Sequence, residues 1–162
     1  MIHIPVCSNT LPEVFDPDVL KEDKKWYAQG AMGKLRPLLF NISNGSWITL
    51  LKVQGEGNLA RHHHSSAVTA WTLDGAWGYR EYDWVARAGS FVYEPPGHIH
   101  TLYVHPSEGK ILVLFHIQGP LAYLDETDNI IDYADAFTHL DRYKQHCREQ
   151  GLSEEWLQSL IR

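Results

Sequence analysis

The sequence predicts an all-β barrel or sandwich that is followed by a short helical tail. Seven short runs rich in β-branched and aromatic residues lie between residues 34 and 118, and most are separated by turns that contain glycine. The chain has 162 residues, 44% of them hydrophobic, which suits one domain with a full core. The seven runs read KLRPLLFN, SWITLLKVQ, AVTAWTLD, AWGYREYDWV, SFVYE, TLYVH and KILVLFHIQ.

We expect a single domain with three segments. Residues 1–33 are a lead-in that prolines interrupt, with room for an edge strand and a turn. Residues 34–132 hold the predicted barrel, and residues 133–162 hold the helices. No repeat or linker divides the chain, so the sequence favours no second domain.

The tail changes from strand to helix periodicity. Apolar residues recur there at helical spacing, and Gly151 follows where a helix would end. Ser153 then precedes two glutamates, which predicts the start of a second helix. The expected buried stripe of the first helix is Phe137, Leu140, Tyr143/Lys144 and Cys147.

Composition argues against two classes of partner. The net charge is −6, from 14 basic and 20 acidic residues, and no basic tract occurs, so we expect no nucleic-acid partner. The chain begins without a secretory signal pattern, and no apolar stretch is long enough to span a bilayer. We therefore expect a cytoplasmic protein that has no contact with membranes.

Three consecutive histidines, His62, His63 and His64, are the first candidate site. On a strand, His62 and His64 would point to one face and His63 to the other. Two imidazoles on one face could bind a metal, but a third ligand must come from elsewhere. A solvated loop is the plainer alternative for such a run.

A second segment, AGSFVYEPPGHIH, holds the candidate for the third ligand. Its Gly89, Pro95, Gly97 and His100 have the spacing G-x5-P-x-G-x2-H. This spacing resembles the second motif of the cupin superfamily, although Val104 stands where that motif ends in asparagine. The resemblance implies a cupin fold, a double-stranded β-helix or jelly-roll-like barrel, with His100 as a metal ligand.

The first cupin motif is matched less completely around His62 and His64. Its leading and closing glycines are displaced by one residue, to Gly57 and Gly75, and its glutamate position holds Thr69. Many cupins bind their metal with three histidines and that glutamate. The resemblance therefore implies a three-histidine site of His62, His64 and His100.

A narrower resemblance covers about residues 40–132. The segments GPLAYLDETDN, YEPPG and DWV are similar to parts of the acetylacetone-cleaving dioxygenase and of 2,4′-dihydroxyacetophenone dioxygenase. These families are small cupins in which Fe(II) and O2 cleave a carbon–carbon bond of a ketone. The resemblance implies the same for this chain, with Zn, Ni or Mn as other metals that imidazoles accept. By analogy it also implies a homodimer or homotetramer.

Two further positions carry over from the acetylacetone-cleaving family. Glu94 lies six residues before His100, and Arg80 lies five residues after Gly75. The resemblance implies that they pair inside the pocket, Glu94 as the acid or base and Arg80 as its orienting partner. An ordinary cross-strand ion pair is the alternative.

The remaining histidines and tryptophans have plainer expected roles. His98 is a lesser candidate for the third ligand, and His116 could line the site or lie in the core. The three strand tryptophans are expected in the core: Trp71, Trp77 and Trp84. The four histidines without a partner pattern are expected at the surface: His3, His105, His139 and His146.

Two rival functions fit the same residues. A sensor-like cupin would bind a metal or small molecule without turnover, and an isomerase or hydrolase would use the metal without O2. The aromatic content favours an apolar cavity, in keeping with a hydrophobic or aryl ketone.

Overall fold

The computed structural model describes residues 10–31 and 33–162, and this part of the chain forms eleven strands and two helices. The strands are β1 (Tyr27–Gln29), β2 (Gly33–Asn41), β3 (Ser46–Gln54), β4 (Gly57–His64), β5 (Val68–Tyr79), β6 (Ala86–Arg87), β7 (Phe91–Glu94), β8 (Ile99–Val104), β9 (Lys110–Ile117), β10 (Leu121–Leu124) and β11 (Ile130–Ala134). The helices are α1 (Ala136–Gln150) and α2 (Glu154–Ser159).

The strands form a curled antiparallel sheet. The order is β1-β2-β3-β9-β5-β8-β4-β10-β11, and the short strands β6 and β7 both pair with β5. The first part of β5 pairs with β9 and its last residues pair with β8, so this strand passes from one layer to the other. The result is a half-barrel of two facing layers, which confirms the predicted jelly-roll-like class.

Strand β5 bends at Gly75 instead of ending there. Gly75 has a φ of 79°, and a Cβ at this position would lie 1.9 Å from the carbonyl oxygen of Lys110. Only glycine tolerates both this φ and this approach of two backbones. Two of the predicted runs are therefore one strand up to Tyr79, and residues 80–85 form a turn where the sequence predicted a continued strand.

The core lies between the two layers. On β9, every second residue is buried, from Ile111 to Ile117, because alternate side chains of a strand point to the same face. Among the tryptophans expected in the core, Trp77 is fully buried, whereas Trp71 and Trp84 are 43% and 37% exposed. The expectation was wrong for these two: Trp71 lies between buried Ala70 and Thr72 and points to the outer face of β5, and Trp84 lies in the turn after the strand.

Helix α1 has the ends that the sequence predicts. Asp135 caps its first turn by accepting from the Thr138 backbone, and Gly151 ends it in the left-handed conformation. Leu140, Tyr143 and Cys147 are buried as expected, but Phe137 is 52% exposed because the buried face includes Ala136 and His139 instead. Ser153 caps α2. Neither helix is long and apolar enough to cross a membrane.

The lead-in is held to the barrel by a buried arginine. Arg36 on β2 is fully buried, and its guanidinium contacts Asp16 at 2.6 Å and Asp23 at 2.8 Å. Strand β1 then pairs with β2 as an edge strand. Because α1 contacts both β2 and β11, near the two edges of the sheet, the helix covers the gap that the curled sheet leaves between them.

Candidate metal centre

Neighbouring strands bring three histidines together. Strand β4 pairs with β8 so that His62 lies opposite His100, and His64 points to the same face as His62. The candidate ligand nitrogens of His62, His64 and His100 all lie within 4.8 Å of one another. His63 pairs with Ile99 and Ala122 at the alternate position of the strand, outside this cluster, as strand parity predicts.

The cluster lies largely away from solvent, and burial lowers the pKa values of two of its histidines. His64 and His100 are 3% and 1% exposed. Burial, followed by the neighbouring His64, lowers the pKa of His62 to about 4. Burial, followed by His62, lowers the pKa of His100 to about 2. Both rings are therefore neutral near pH 7, which is the form in which imidazole binds a metal.

Glu94 joins the histidines from β7. Its Oε2 lies 3.0 Å from Nε2 of His64 and 3.4 Å from Nε2 of His100. Its Oε1 accepts a hydrogen bond of 2.8 Å from the Tyr79 hydroxyl. Glu94 is 3% exposed, so the carboxylate is buried against the histidines. The structure thus places this predicted residue beside the predicted ligands.

Several polar atoms of this cluster have no hydrogen-bond partner among the described residues. They are both ring nitrogens of His64, both ring nitrogens of His100 and Oε2 of Glu94. Unpaired buried polar atoms are costly, and five at one place indicate that a missing group satisfies some of them. Donor atoms about 2.1 Å from one cation, at angles of about 90–110°, are about 3.0–3.4 Å apart, and Oε2 of Glu94 lies at these distances from Nε2 of His64 and of His100. The residues therefore fit a divalent metal.

Thr69 does not supply a ligand. It lies between buried Val68 and Ala70 on β5 and points away from the interior. Its partners on the neighbouring strands are Tyr93 and His116. The carboxylate nearest the histidines comes instead from Glu94, after the next turn. At 3.0 Å from Nε2 of His64, the Glu94 carboxylate could act either as a fourth metal ligand or as a base beside the metal.

Tyr79 is a site residue that the sequence did not single out. Its ring stacks on His100, with centroids 3.5 Å apart and planes 6° from parallel, and it is 1% exposed. Burial, followed by Glu94, raises its pKa well above the ordinary value, so the hydroxyl keeps its proton for Glu94. The alternation of the AWGYR run could have indicated an inward residue, but not its partner.

Arg80 does not pair with Glu94, and this expectation was wrong. Arg80 is exposed, its Nε donates to Asn58 at 2.8 Å, and its guanidinium lies 4.2 Å from the centre of the Tyr103 ring. The reason is strand parity: Tyr79 points inward, so the next residue along the chain points outward. Tyr79 takes the contact with Glu94 that Arg80 was expected to make.

Three of the remaining histidines, His98, His116 and His139, lie outside the three-histidine cluster. His98 is exposed and bonds to the Tyr82 hydroxyl at 2.6 Å, outside the three-histidine cluster. His116 lies between the buried Phe115 and Ile117 of β9, and it points away from the interior. His139 was expected at the surface, but it is 4% exposed. His3 lies outside the described residues.

An apolar cavity opens beside the cluster. It has a volume of about 310 Å³, and His62, His64 and Tyr79 form part of its wall. Among the described residues that line it, none is an aspartate, glutamate, lysine or arginine. Its apolar wall includes Leu35, Trp47, Leu51, Val68, Phe115 and Ile117.

A second, smaller cavity lies on the other side of the cluster. Its volume is about 190 Å³, and Glu94, His98 and His100 line it together with Tyr82. Tyr79 lines both cavities, so the histidines and Glu94 stand between them.

The half-barrel and its inward histidines are those of a cupin. Residues 18–122 match the model of the ChrR cupin-like domain family. The chain therefore belongs to this family of cupins. No functionally curated protein matches the sequence.

Solved structures agree with this assignment. An RmlC-like cupin from Ralstonia eutropha JMP134 is 36% identical, with a TM-score of 0.75 over 79% of this chain and 84% of that one. A second protein with a cupin-like fold, from the same organism, is 26% identical, with a TM-score of 0.70 over 74% and 75% of the two chains. An acetylacetone dioxygenase from Acinetobacter johnsonii shares the fold, with a TM-score of 0.71, 16% identity, and 88% and 99% coverage.

Proposed function

We propose that the chain is a metal-dependent dioxygenase that uses O2 to cleave a carbon–carbon bond of a β-diketone or of a hydroxyacetophenone-type ketone. The observation that carries the proposal is the group of unpaired, buried atoms of His64, His100 and Glu94 beside an uncharged apolar cavity. The fold shared with an acetylacetone dioxygenase adds support for the scaffold.

His62, His64 and His100 would hold the metal, and ferrous iron is the one we propose. Zinc, nickel and manganese also accept imidazole ligands, so each could occupy the site in the isolated protein. Bound ferrous iron would supply positive charge beside the ketone oxygens and a reductant for O2. Three neutral imidazoles leave that charge uncompensated, which favours an anionic bidentate ligand such as an enolate.

Glu94 is the proposed acid and base. A ketone must lose the proton of the carbon next to its carbonyl group to become an enolate, and Glu94 is the carboxylate in contact with the cluster. The Tyr79 hydroxyl holds Oε1, so Oε2 is the atom that is free to accept the proton. The same carboxyl can later return that proton to a product.

The cavity would select the substrate and exclude water. A volume of about 310 Å³ is at the lower end of the range for small-molecule pockets. Because none of the described lining residues is an aspartate, glutamate, lysine or arginine, a charged group on the part of the substrate away from the metal would lose its hydration without compensation. A neutral apolar body avoids that cost. The carbon–carbon bond would break into two carbonyl or carboxylic products that share the atoms of O2.

Oxygen consumption tests the proposal. The protein is loaded with ferrous iron without air, and O2 uptake is followed with acetylacetone and with 2,4′-dihydroxyacetophenone. We expect uptake with at least one ketone, with label from ¹⁸O2 in the products, and none after His100→Ala. His63→Ala is the matched control, since His63 lies outside the cluster.

The opposite result would favour a different function. A sensor-like metal binder, or an isomerase or hydrolase on this scaffold, would leave O2 unconsumed with every ketone offered. Conversion of a ketone without O2 would identify an isomerase or hydrolase. Tight metal binding without any conversion would identify a sensor-like metal binder. A homodimer or homotetramer and a cytoplasmic location stay predictions.

A further inference from the structure

Helix α1 contributes one polar side chain to the wall of the apolar cavity. His139 lines the cavity and is 4% exposed. Its ring packs on Trp47, which also lines the cavity, with centroids 5.3 Å apart. Its Nδ1 and the Tyr27 hydroxyl share a hydrogen bond of 2.9 Å. This bond between α1 and β1 fixes the orientation of the ring.

The other ring nitrogen of His139 has no partner among the described residues. Hydrogen bonding of the ring is confined to Nδ1, and Nε2 forms no hydrogen bond with any described residue. His139 lines the cavity, whereas Tyr27, to which its Nδ1 is turned, does not, so we take the ring edge that carries Nε2 as the edge that faces the cavity. Nε2 is therefore a polar atom that faces the ligand space.

His139 is separate from the candidate metal centre. The histidine cluster is on β4 and β8, whereas His139 is on α1 and makes ring contact with Trp47 on β3. Burial, followed by Arg142, lowers the pKa of His139 to about 4, so the ring is neutral at pH 7. A neutral imidazole offers one N–H donor or one lone pair at Nε2, and it does not demand a charged ligand.

We propose that Nε2 of His139 is the second anchor of the ligand, a hydrogen-bonding site for an oxygen that does not bind at the histidine cluster. The ligand class is then a neutral ketone with an apolar body and a second hydroxyl or carbonyl oxygen that reaches His139. This inference rests on the proposed function, because it takes the cavity as the place of the ketone. His139 is a specificity-determining residue in this scheme, not a catalytic one.

Ligand binding without turnover tests the inference. The full chain is loaded with zinc, which has no redox chemistry, and kept without O2. Binding of acetophenone and of 4′-hydroxyacetophenone is followed by tryptophan fluorescence, since Trp47 lines the cavity beside His139. We expect the hydroxylated ketone to bind about 3- to 10-fold tighter, the value of one neutral hydrogen bond.

Three variants test whether His139 causes the preference for the hydroxylated ketone. His139→Leu should reduce the ratio of the two dissociation constants to about one. His139→Gln should keep much of the preference, since its amide nitrogen reaches the position of Nε2. Tyr27→Phe removes the bond that orients the ring without changing a residue that lines the cavity, and it should reduce the preference less than His139→Leu does. An unchanged ratio in His139→Leu overturns the inference.

A measurement on the native chain covers the case in which His139→Leu does not fold. The ¹⁵N resonance of Nε2 of His139 should shift with 4′-hydroxyacetophenone and stay in place with acetophenone. Equal shifts with both ketones overturn the inference. Neither assay needs O2, so the ratio of dissociation constants can be measured even if the protein consumes no O2 and the proposed function fails. If the protein does consume O2 but the His139 variants leave the ratio unchanged, only the inference about His139 fails.

Discussion

His139 should make the metal-free protein less stable in mild acid. Its pKa in the folded chain is about 4, whereas an unfolded histidine has a pKa of about 6.5. Between these pH values the unfolded chain binds a proton that the folded chain excludes. The free energy of unfolding therefore falls as the pH is lowered from about 6.5 to about 4, and this contribution levels off below that.

The size of the effect follows from the two pKa values. A difference of about 2.5 units, at about 1.4 kcal/mol per unit, gives about 3 kcal/mol at pH 4. Burial is the main cause of the lowered pKa and Arg142 adds to it, while Asp135 and Asp132 act against it. Against a typical total stability of about 5–15 kcal/mol, such a loss is large enough to measure.

Urea unfolding of the native chain and of His139→Gln at several pH values between 7 and 4 measures this contribution. Glutamine does not titrate, and His62 and His100 titrate in both proteins, so the difference between the two curves isolates His139. We expect the native chain to lose about 3 kcal/mol more than the variant over this range. Parallel curves would show that His139 is not buried in its neutral form.

Three further substitutions test the site and the fold. His100→Ala should lower bound metal from one ion per chain to nearly none by elemental analysis, whereas His63→Ala should retain it; full retention by both would refute the ligand assignment. Glu94→Gln should weaken metal binding or O2 uptake by about 10- to 100-fold, and unchanged values would remove Glu94 from the site. Gly75→Ala should cost more than about 4 kcal/mol in urea unfolding, because its Cβ would overlap the Lys110 carbonyl, while Gly89→Ala, with open space, should cost about 1–2 kcal/mol.

Much of the fold could be predicted because local patterns carry it. Strand runs, turn glycines and helix caps depend on neighbours in sequence, so Gly151 and Ser153 end and begin helices as expected. The bend of β5 at Gly75 could not be predicted in this way. It depends on the approach of Lys110, which is distant in sequence.

The three-histidine cluster belongs to the part that the sequence determined. Strand parity separates His62 and His64 from His63, and the resemblance to the second cupin motif identifies His100. Parity and the motif both belong to short stretches of sequence. The juxtaposition of the two strands then follows from the cupin fold that these motifs indicate.

Tertiary structure alone decided which other groups reach the site. Arg80 and Tyr79 are neighbours in sequence, but only the inward one contacts Glu94. His139 has no motif around it, and it enters the cavity wall because α1 covers the gap between the edges of the sheet. Side-chain partners across a barrel are set by how its layers close, and that is a property of the whole fold that no single segment encodes.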